Sequence, residues 1–344
     1  MKALVLEADK KLIYKEIPQP ESGANVLVKV KYAGICGSDI HRGFEGGAYH
    51  YPLVMGHEFS GIVEKAPAGS RFRAGDAVVV FPLLPCKRCI PCQTGDFAQC
   101  VDYDYYGSRR DGGFAEYVAV PDENLFPVPE GVSLLHAAMT EPCAVALHGV
   151  RKLSIKPGET GAVYGGGPIG NIVAQWMRIG GCRTVFVVDV DEKKLEIARN
   201  MGFETINSRQ TDPVAEIQKR TGGSGADKVI EACGLPVTFR QSVLSARRFG
   251  EVVFMGNING DFVLNPKDFS TILRKELTIR GTWNSKVTPY GTDEWTTVLS
   301  YLDKALDVAP LVSHTPELRD GADIFGKLTG RKEFFNKVIF KVQE

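Results

Sequence analysis

The pattern of apolar and polar positions changes twice along the chain. Over residues 1 to about 140, short β-like runs such as KALVLEA, NVLVKVKYAG and FAEYVAV are separated by Gly, Pro and Asp, which predicts a β-rich body with many turns. From about 155 to 280, apolar strands alternate with amphipathic segments, as in RTVFVVDVD followed by EKKLEIARNMG, and TFRQSVLSARRFG is predicted as a helix before the strand EVVFMGN. This order predicts a parallel sheet covered by helices. From about 285 the texture is mixed and ends in a strand-like KVIFKVQ.

This alternation predicts two domains, because a chain of 344 residues is too long for one ordinary hydrophobic core. The predicted fold class is α/β. A β-rich catalytic domain of residues 1–145 is completed by residues 285–344. A doubly wound parallel (Rossmann) domain of residues 146–284 is inserted between them.

Charge and hydropathy exclude several classes of partner. Lys plus Arg equals Asp plus Glu at 41 each, so no overall field favours nucleic acid or an anionic membrane. No apolar run approaches the roughly 20 residues of a membrane helix, and the N-terminus lacks the apolar core of a signal peptide. We therefore expect no nucleic-acid or membrane partner and a cytoplasmic location, where a reducing environment suits eight cysteines.

Four cysteines lie in one short stretch of the first domain. Their spacing is C-x2-C-x2-C-x7-C, formed by Cys86, Cys89, Cys92 and Cys100. Cysteines three apart on a tight turn direct their sulfurs to one point, and a fourth completes a tetrahedron around Zn²⁺. Such a site has no open position, so a structural zinc is predicted. Two disulfides or four unrelated thiols are the alternative, and a reducing compartment disfavours disulfides.

A glycine-rich turn follows a predicted strand of the second domain. The segment VYGGGPIG gives Gly165-x-Gly167-x-x-Gly170, with Pro168 and Ile169 opening an apolar-periodic helix. The three glycines permit, in order, a tight turn, close approach of the backbone to a pyrophosphate, and close helix–strand packing. Because a helix N-terminus attracts anions, this segment predicts a dinucleotide site.

Asp189 ends the next predicted strand, about 20 residues beyond the glycines. An acid at this place accepts hydrogen bonds from both hydroxyls of the adenosine ribose and repels a 2′-phosphate. The next residues are Val190, Asp191 and Glu192, so no Arg or Lys directly follows. The sequence therefore favours NAD⁺ over NADP⁺. A glycine turn in another kind of doubly wound protein is the alternative.

Two further segments carry the ligand types of a catalytic metal. They are CGSDIH at 36–41 and GHEFSG at 56–61. Cys and His are ligands of a Zn²⁺ Lewis acid, with a carboxylate as the usual third. Taken singly, Cys36 reads as a small buried hydrophobe and His57 as a core histidine. Their occurrence together with a four-cysteine site and a nucleotide domain favours a catalytic zinc instead.

Taken together, these motifs resemble the zinc-dependent medium-chain dehydrogenases, the superfamily of alcohol and polyol dehydrogenases. CGSDIH, GHEFSG, the four-cysteine loop, DGGFAEY and VYGGGPIG occur in the family's order and span essentially the whole chain. The segment TEPC at 140–143 is similar to the sorbitol-dehydrogenase branch. The resemblance implies a GroES-like fold for the β-rich domain, an NAD-linked oxidoreductase, and two zinc ions per chain, one catalytic and one structural.

The resemblance also implies which residues bind the catalytic metal. Cys36, His57 and Glu141 would be its ligands. Cys143 is a rival third ligand, since simple alcohol dehydrogenases use a cysteine in this region. Glu58, next to His57, would approach the metal and exchange with water or substrate.

Three residues within the first of these segments, CGSDIH, are implied in the reaction. Ser38 lies two residues beyond Cys36, so its hydroxyl can accept the proton of the substrate alcohol and pass it on through the cofactor ribose. By resemblance, His41 would receive this proton and release it to solvent. Asp39 matches the position that orients the ligand histidine and fixes its tautomer.

Two adjacent arginines, Arg109 and Arg110, precede the DGGF turn. Guanidinium groups bind phosphate bidentately, and GSRRDGGFAEY with LRKELTIRGTW resembles the polyol-phosphate dehydrogenases. This implies oxidation of galactitol 1-phosphate to tagatose 6-phosphate, with Lys286 as a further candidate contact. Arginine pairs at turns are also commonly solvated or salt-bridged, so an unphosphorylated polyol of the sorbitol type and a secondary alcohol such as threonine remain alternatives.

Two expectations concern the whole molecule. The family resemblance implies a homodimer or homotetramer, with strand addition between cofactor domains near Val252–Met255. A non-enzymatic nucleotide-binding relative would lack metal ligands, so the presence of Cys36, His57 and Glu141 disfavours that class.

Overall fold

The computed structural model describes residues 1–288, 293–330 and 333–344. The chain divides into two compact units: the first combines Met1–Pro142 with Lys286–Glu344, and the second is Cys143–Ser285. The functional domains remain our proposal from the sequence, with limits at 1–145, 285–344 and 146–284.

The described residues contain mostly antiparallel strands in the first unit and a run of parallel strands in the second. The strands are β1 Lys2–Leu6, β2 Leu12–Glu16, β3 Val26–Gly34, β4 Leu53–Val54, β5 Glu58–Lys65, β6 Ala77–Val80, β7 Leu83–Leu84, β8 Asp104–Tyr105, β9 Tyr117–Val120, β10 Leu125–Pro127, β11 Thr160–Tyr164, β12 Thr184–Asp189, β13 Glu204–Asn207, β14 Ala226–Glu231, β15 Ala246–Phe254, β16 Thr278–Gly281, β17 Val312–His314 and β18 Lys337–Lys341.

The described residues also form α-helices in both units. They are α1 Gly37–Phe44, α2 Ile90–Gln93, α3 Leu134–Ala137, α4 Thr140–Val150, α5 Pro168–Ile179, α6 Glu192–Asn200, α7 Pro213–Arg220, α8 Pro236–Ser245, α9 Pro266–Lys275, α10 Glu294–Tyr301 and α11 Gly321–Gly330. Among the residues that the structure describes, no helix has the length and apolar character that crossing a membrane requires.

A seven-stranded sheet forms the centre of the first unit. Its order is β10-β6-β5-β3-β18-β17, and β9 also pairs with β3. The C-terminal strand β18 runs antiparallel to β3, with Phe340 opposite Ala33, so the tail of the chain completes this sheet. Phe340 packs edge-on against Phe114, with ring centroids 5.2 Å apart, in the fully buried core.

The pairing of β3 with β5 brings the two predicted metal-binding segments together. The strands are antiparallel, and Gly34 at the end of β3 lies opposite Glu58 at the start of β5. Cys36 follows β3 and His57 precedes β5, so both lie at the same end of two neighbouring strands. Residues far apart in the sequence are therefore placed side by side by strand register.

The second unit is built on a six-stranded parallel sheet of order β13-β12-β11-β14-β15-β16. β12 reads TVFVVD and is buried along nearly its whole length, as expected for a strand covered on both faces. The order reverses between β11 and β14, and ligands of such sheets bind beyond the carboxyl ends of the strands at this point. The predicted doubly wound sheet is confirmed.

Two sequence predictions about this unit are wrong. Strand β15 pairs with β14 on one side and β16 on the other, so the segment Val252–Met255 offers no free edge for strand addition. The edge strand on this side of the sheet is β16, Thr278–Gly281, and β13 is the edge on the other side. The segment SARRFG was expected to continue a helix, but α8 ends at Ser245 and β15 begins at Ala246.

Candidate metal and cofactor sites

The four-cysteine loop closes around one point. Helix α2 and its flanking turns bring the sulfur pairs Cys86–Cys92, Cys89–Cys92 and Cys89–Cys100 to separations of 4.0, 3.4 and 3.9 Å. Four sulfurs around a tetrahedral zinc lie about 3.8 Å apart, given Zn–S bonds of about 2.3 Å. All four cysteines are unpaired. The cluster therefore fits a structural zinc and not two disulfides.

The thiols of Cys89 and Cys92 differ in pKa. Backbone N–H groups of Val101 and Cys92 lower the pKa of Cys89 to about 6, which favours the thiolate that binds metal. Burial raises the pKa of Cys92 to about 12. A metal ion would therefore bind readily at Cys89 and displace a proton from Cys92.

A second cluster lies where β3 and β5 meet. The potential ligand atoms of Cys36, His57 and Glu58 all lie within 4.8 Å of one another. A side-chain carbon added to Gly34 would collide with the Glu58 carboxylate. Glycine at the end of β3 is thus required for Glu58 to reach the cluster.

Asp39 supports both predicted ligands from the first turn of α1. Its Oδ2 accepts a hydrogen bond from the Cys36 backbone N–H at 3.0 Å, and its Oδ1 accepts one from Arg42 Nη1 at 2.9 Å. Oδ1 also lies 3.5 Å from Nδ1 of His57. With Nδ1 facing this carboxylate, Nε2 is the nitrogen available to a metal.

Burial and charge act in opposite directions on this pair. Burial alone would raise the pKa of Asp39, but His57 and Arg42 bring it below its ordinary value. Burial would lower the pKa of His57, but Asp39 raises it well above its ordinary value. Zn²⁺ binds the neutral imidazole, so a metal ion at Nε2 would replace the proton that Asp39 favours on His57.

Glu58 is held by a buried lysine. Lys337 Nζ donates to Glu58 Oε2 and, at 2.9 Å, to the Ile35 carbonyl oxygen. Both side chains are at most 5% exposed. Burial lowers the pKa of Lys337, but Glu58 and Cys36 raise it above its ordinary value. The lysine is thus a fixed positive charge beside the candidate metal centre.

Glu141, the predicted third ligand, lies beside this cluster and outside the group of three. It is in the first turn of α4, and its Oε1 accepts a hydrogen bond from the Tyr105 hydroxyl at 3.2 Å. The Tyr105 ring lies 5.8 Å from that of His57. Burial raises the pKa of Glu141 to about 7, with His57 opposing this shift. The rival Cys143 is buried in the second unit.

The predicted relay residues lie on helix α1. Ser38 and His41 are three residues apart and both exposed, so they share one face of the helix. His41 Nδ1 lies 2.6 Å from Glu45 Oε2. Their proton-transfer roles remain predictions.

The three predicted phosphate-binding cations differ in their surroundings. Arg110 pairs with Asp104, and Lys286 pairs with Asp96, each at 2.6 Å. The Arg109 guanidinium instead lies over two aromatic rings, 4.8 Å from the Tyr49 centroid and 4.2 Å from the Tyr103 centroid. Its Nη1 donates to the Tyr103 carbonyl oxygen at 2.9 Å.

In the second unit, the predicted glycine turn joins β11 to α5. Gly165 has φ +115°, a left-handed conformation that favours glycine. A side-chain carbon at Gly170 would collide with the Gly165 carbonyl, whereas one at Gly167 would meet no atom within 4 Å. Pro168 opens α5 and Ile169 follows it. The turn thus leaves open space beside Gly167 at the start of a helix.

Asp189 lies at the end of β12 and is 8% exposed. Its Oδ1 accepts hydrogen bonds from the N–H groups of Val190 and Asp191 at 2.7 and 2.9 Å. Its Oδ2 accepts one from Gly166 N–H at 2.7 Å. The carboxylate that was predicted to bind the cofactor ribose therefore also contacts the glycine turn.

Two family models match the chain, the alcohol dehydrogenase GroES-like domain over residues 22–130 and the zinc-binding dehydrogenase over residues 168–304. Galactitol 1-phosphate 5-dehydrogenase of Escherichia coli (strain K12) is 34% identical over 319 residues, covering 91% of this chain and 92% of the relative. The chain belongs to the zinc-dependent medium-chain dehydrogenase family. This dehydrogenase is also similar to sorbitol dehydrogenase of Bacillus subtilis (strain 168), at 33% identity over 266 residues, covering 74% of this chain and 75% of the relative.

Solved structures agree with this assignment. The dehydrogenase matches the crystal structure of galactitol-1-phosphate dehydrogenase from Escherichia coli with a TM-score of 0.92 and 32% identity, over 99% of this chain and 100% of that one. A zinc-binding dehydrogenase from Sinorhizobium meliloti 1021 bound to NADP matches with a TM-score of 0.90 and 31% identity, over 99% of each chain. An alcohol dehydrogenase from E. coli CFT073 complexed with NADH matches with a TM-score of 0.88 and 30% identity, over 99% of each chain.

The comparisons confirm the predicted family, the GroES-like and Rossmann-type folds and the oxidoreductase class. The protein is a zinc-type dehydrogenase whose two clusters have the ligand types that zinc prefers. Sequence reasoning missed Lys337 and Tyr105, which contact Glu58 and Glu141. Arg42 was also missed, although its place three residues after Asp39 on a helix could have indicated a pair.

Proposed function

We propose that this dehydrogenase oxidises a secondary hydroxyl of a sugar-alcohol phosphate and transfers the hydride to NAD⁺, converting galactitol 1-phosphate to tagatose 6-phosphate. The observation that carries the substrate proposal is the environment of Arg109. Similarity to galactitol 1-phosphate 5-dehydrogenase supports the same substrate class. Similarity to sorbitol dehydrogenase supports the alternative, an unphosphorylated polyol.

Arg109 is suited to bind phosphate because its positive charge is uncompensated. Within the part of the chain that the structure describes, no carboxylate pairs with it, whereas Arg110 and Lys286 each have a carboxylate partner. Stacking on Tyr49 and Tyr103 holds the guanidinium plane and leaves donors for bidentate binding.

A line of aromatic contacts joins Arg109 to the candidate metal centre. The rings of Tyr103 and Tyr105 meet edge-on with centroids 6.2 Å apart, and the Tyr105 hydroxyl reaches Glu141. All these residues belong to the first unit. A polyol with its phosphate on Arg109 would extend along these tyrosines towards Cys36 and His57.

In this proposal Cys36 and His57, with Glu58 or Glu141, hold the catalytic zinc, and the four cysteines hold the structural one. A zinc ion bound by such ligands supplies Lewis-acid chemistry that lowers the pKa of the substrate hydroxyl. Ser38 accepts the hydroxyl proton, and His41 releases it to solvent.

NAD⁺ is the proposed hydride acceptor, and it supplies the redox chemistry that the protein only positions. Asp189 supports this choice because its buried carboxylate would repel a 2′-phosphate. The two similar structures with bound cofactor contain NADP and NADH respectively. NADP⁺ is therefore the alternative cofactor.

We also propose that the protein is cytoplasmic and assembles as a homodimer, or as a homotetramer of such dimers, through the edge strand β16 and not through Val252–Met255. Among the described residues β16 pairs on one side only, and Trp283 nearby is 55% exposed. An unpaired edge strand invites pairing with another chain. Light scattering tests this: a dimer or tetramer is expected, and a mass equal to the single chain of 37.6 kDa would contradict it.

The substrate proposal is tested by NADH formation from galactitol 1-phosphate, galactitol, sorbitol and L-threonine, with NADP⁺ as a second acceptor. Arg109→Ala should raise KM for the phosphate substrate about ten- to hundredfold, because charge-assisted hydrogen bonds are lost. Arg110→Ala is the matched control, since its guanidinium is compensated by Asp104. It should leave that KM nearly unchanged.

Three outcomes would change the proposal. Equal turnover of free and phosphorylated polyol by the unaltered protein would establish the sorbitol-type alternative. Turnover of L-threonine alone would establish the third alternative. A preference for phosphate that survives in Arg109→Ala would place phosphate recognition elsewhere.

A further inference from the structure

The peptide groups around Gly166 are held by two buried side chains. Its N–H donates to Asp189 Oδ2 at 2.7 Å, and its carbonyl oxygen accepts from Asn171 Nδ2 at 2.7 Å. Asn171 is fully buried in the first turns of α5, and its Nδ2 also lies 3.2 Å from the Gly167 carbonyl oxygen. The middle of the glycine turn is thus fixed from both sides.

Glycine is needed at this position for packing. A side-chain carbon at Gly166 would lie 3.1 Å from Asp189 Cβ and 3.3 Å from its Oδ2. A contact of this length is tighter than ordinary van der Waals packing and would push the carboxylate away from the turn. The turn and the Asp189 side chain therefore pack together only when position 166 is glycine.

The Asn171 amide is satisfied at its nitrogen and not at its oxygen. Its Oδ1 is buried and has no hydrogen-bond partner among the described residues, and a buried unpaired oxygen destabilises a folded protein. Its helix neighbours Ile172, Val173 and Ala174 are fully buried apolar residues. An apolar side chain would remove this cost, but it would leave the Gly166 carbonyl oxygen without its Asn171 donor.

The direction of the Gly166 carbonyl group fixes the direction of the Gly167 N–H. In a trans peptide the C=O and the following N–H point in opposite directions. Because the Gly166 carbonyl points to buried Asn171, the Gly167 N–H points away from the helix interior. The space beside Gly167 is open. The arrangement thus presents a backbone donor to an anion at the N-terminus of α5.

We propose that Asn171 is a positioning residue for the cofactor pyrophosphate, acting through the Gly166 carbonyl, and that Asp189 holds the other side of the same turn. This inference rests on the proposed dinucleotide site. Neither side chain needs to contact the phosphates. They hold the backbone donor of Gly167 in place before the cofactor arrives, so binding loses less conformational freedom.

The test compares ligands that contain the pyrophosphate with one that lacks it. Titration calorimetry would measure NADH, ADP-ribose and adenosine binding to the unaltered protein, Asn171→Ala and Asn171→Ser. Asn171→Ala should weaken NADH and ADP-ribose about tenfold and leave adenosine unchanged, because one orienting hydrogen bond is lost. Asn171→Ser should be intermediate, since its hydroxyl can still donate to a carbonyl of the preceding turn.

Gln175→Ala is the matched control. Gln175 is a second buried amide, one turn further along α5 and 1% exposed. Its loss should lower the melting temperature in the same way as the loss of Asn171 while leaving NADH affinity unchanged.

Two results would overturn the inference alone: NADH binding unchanged in Asn171→Ala and Asn171→Ser, or equal weakening of NADH and adenosine. Should Asn171→Ala fail to fold, Asn171→Ser decides by the same comparison. Failure of the unaltered protein to bind NADH or NADPH would overturn the proposed function, and this inference with it.

Discussion

Buried charges at the candidate metal centre occur as compensated pairs. Lys337 lies against Glu58, and Arg42 against Asp39. A buried charge that loses its partner destabilises a protein more than the loss of the whole pair. These pairs therefore stabilise the ionised carboxylates of Glu58 and Asp39, which are buried next to the candidate metal ligands.

Lys337→Met should lower the free energy of unfolding by about 3 kcal/mol, because Glu58 is left buried without its partner. The double variant Glu58→Gln/Lys337→Met should recover most of this loss, since it buries no unpaired charge. Urea unfolding in the presence of zinc measures both. A single variant that costs less than about 1 kcal/mol would show that solvent or another group compensates Glu58.

Among individual residues, the sequence predicted those that lie in motifs. It did not predict the residues that contact them from distant positions in the chain. Cys36, His57 and the four cysteines were predicted because metal ligands have characteristic types and spacings. Lys337 contacts Glu58 across 279 positions of sequence, and within KVIFKVQ it reads as one polar residue of a strand. Asn171 likewise reads as a helix residue until the Gly166 carbonyl is seen beside it.

Strands β14, β15 and β16 are joined at one place by a single carboxylate. Glu251 on β15 accepts hydrogen bonds from Lys228 on β14 at 2.7 Å, Arg280 on β16 at 2.9 Å and the Ser154 N–H at 3.0 Å. Burial opposes its ionisation, but Lys228 and the other donors lower the pKa of Glu251 below its ordinary value. The ionised carboxylate therefore stabilises the sheet.

Glu251→Gln should destabilise the protein at pH 7 by about 1–2 kcal/mol, because charge-assisted hydrogen bonds are lost. A lowered pKa in the folded state means that this contribution is complete above the ordinary value of 4.5 and disappears as the pH falls through the lowered value. Unfolding curves between pH 7 and pH 3 should therefore converge for the two proteins.

Glu196→Gln is the control for this prediction. Glu196 is exposed on α6, and its replacement should change the free energy of unfolding by less than about 0.5 kcal/mol. A difference between Glu251→Gln and the unaltered protein that stays constant with pH would contradict the account of Glu251.

Long periodic elements were easier to predict than short or irregular ones. The parallel strands other than β13 were expected, as were α5, α6 and α8, whereas β13, α7 and α9 were not recognised. The boundary at Ala246 was missed because RRFG continues the polar–apolar pattern of α8, and because β15 is irregular where Phe249 adopts a left-handed φ of +59°. An aromatic residue gives no signal for that conformation.

For the whole molecule, the order of motifs predicted more than composition did. A balanced charge of 41 basic and 41 acidic residues excludes little beyond strong electrostatic binding of polyanions. The order of motifs predicted the family, and 34% identity over 91% of the chain confirms it. The order of motifs does not determine the substrate. The contacts of Arg109 with Tyr49 and Tyr103, on which the substrate proposal depends, form only in the folded protein.

The central claim is that the chain holds two zinc ions with different roles. The most direct measurement is the zinc content of the dialysed protein and of Cys36→Ser, with polyol oxidation measured on the same samples. We predict two ions per chain in the unaltered protein, and one ion with oxidation lost in Cys36→Ser. A Cys36→Ser protein that retains both the zinc content and the oxidation rate of the unaltered protein would contradict the account.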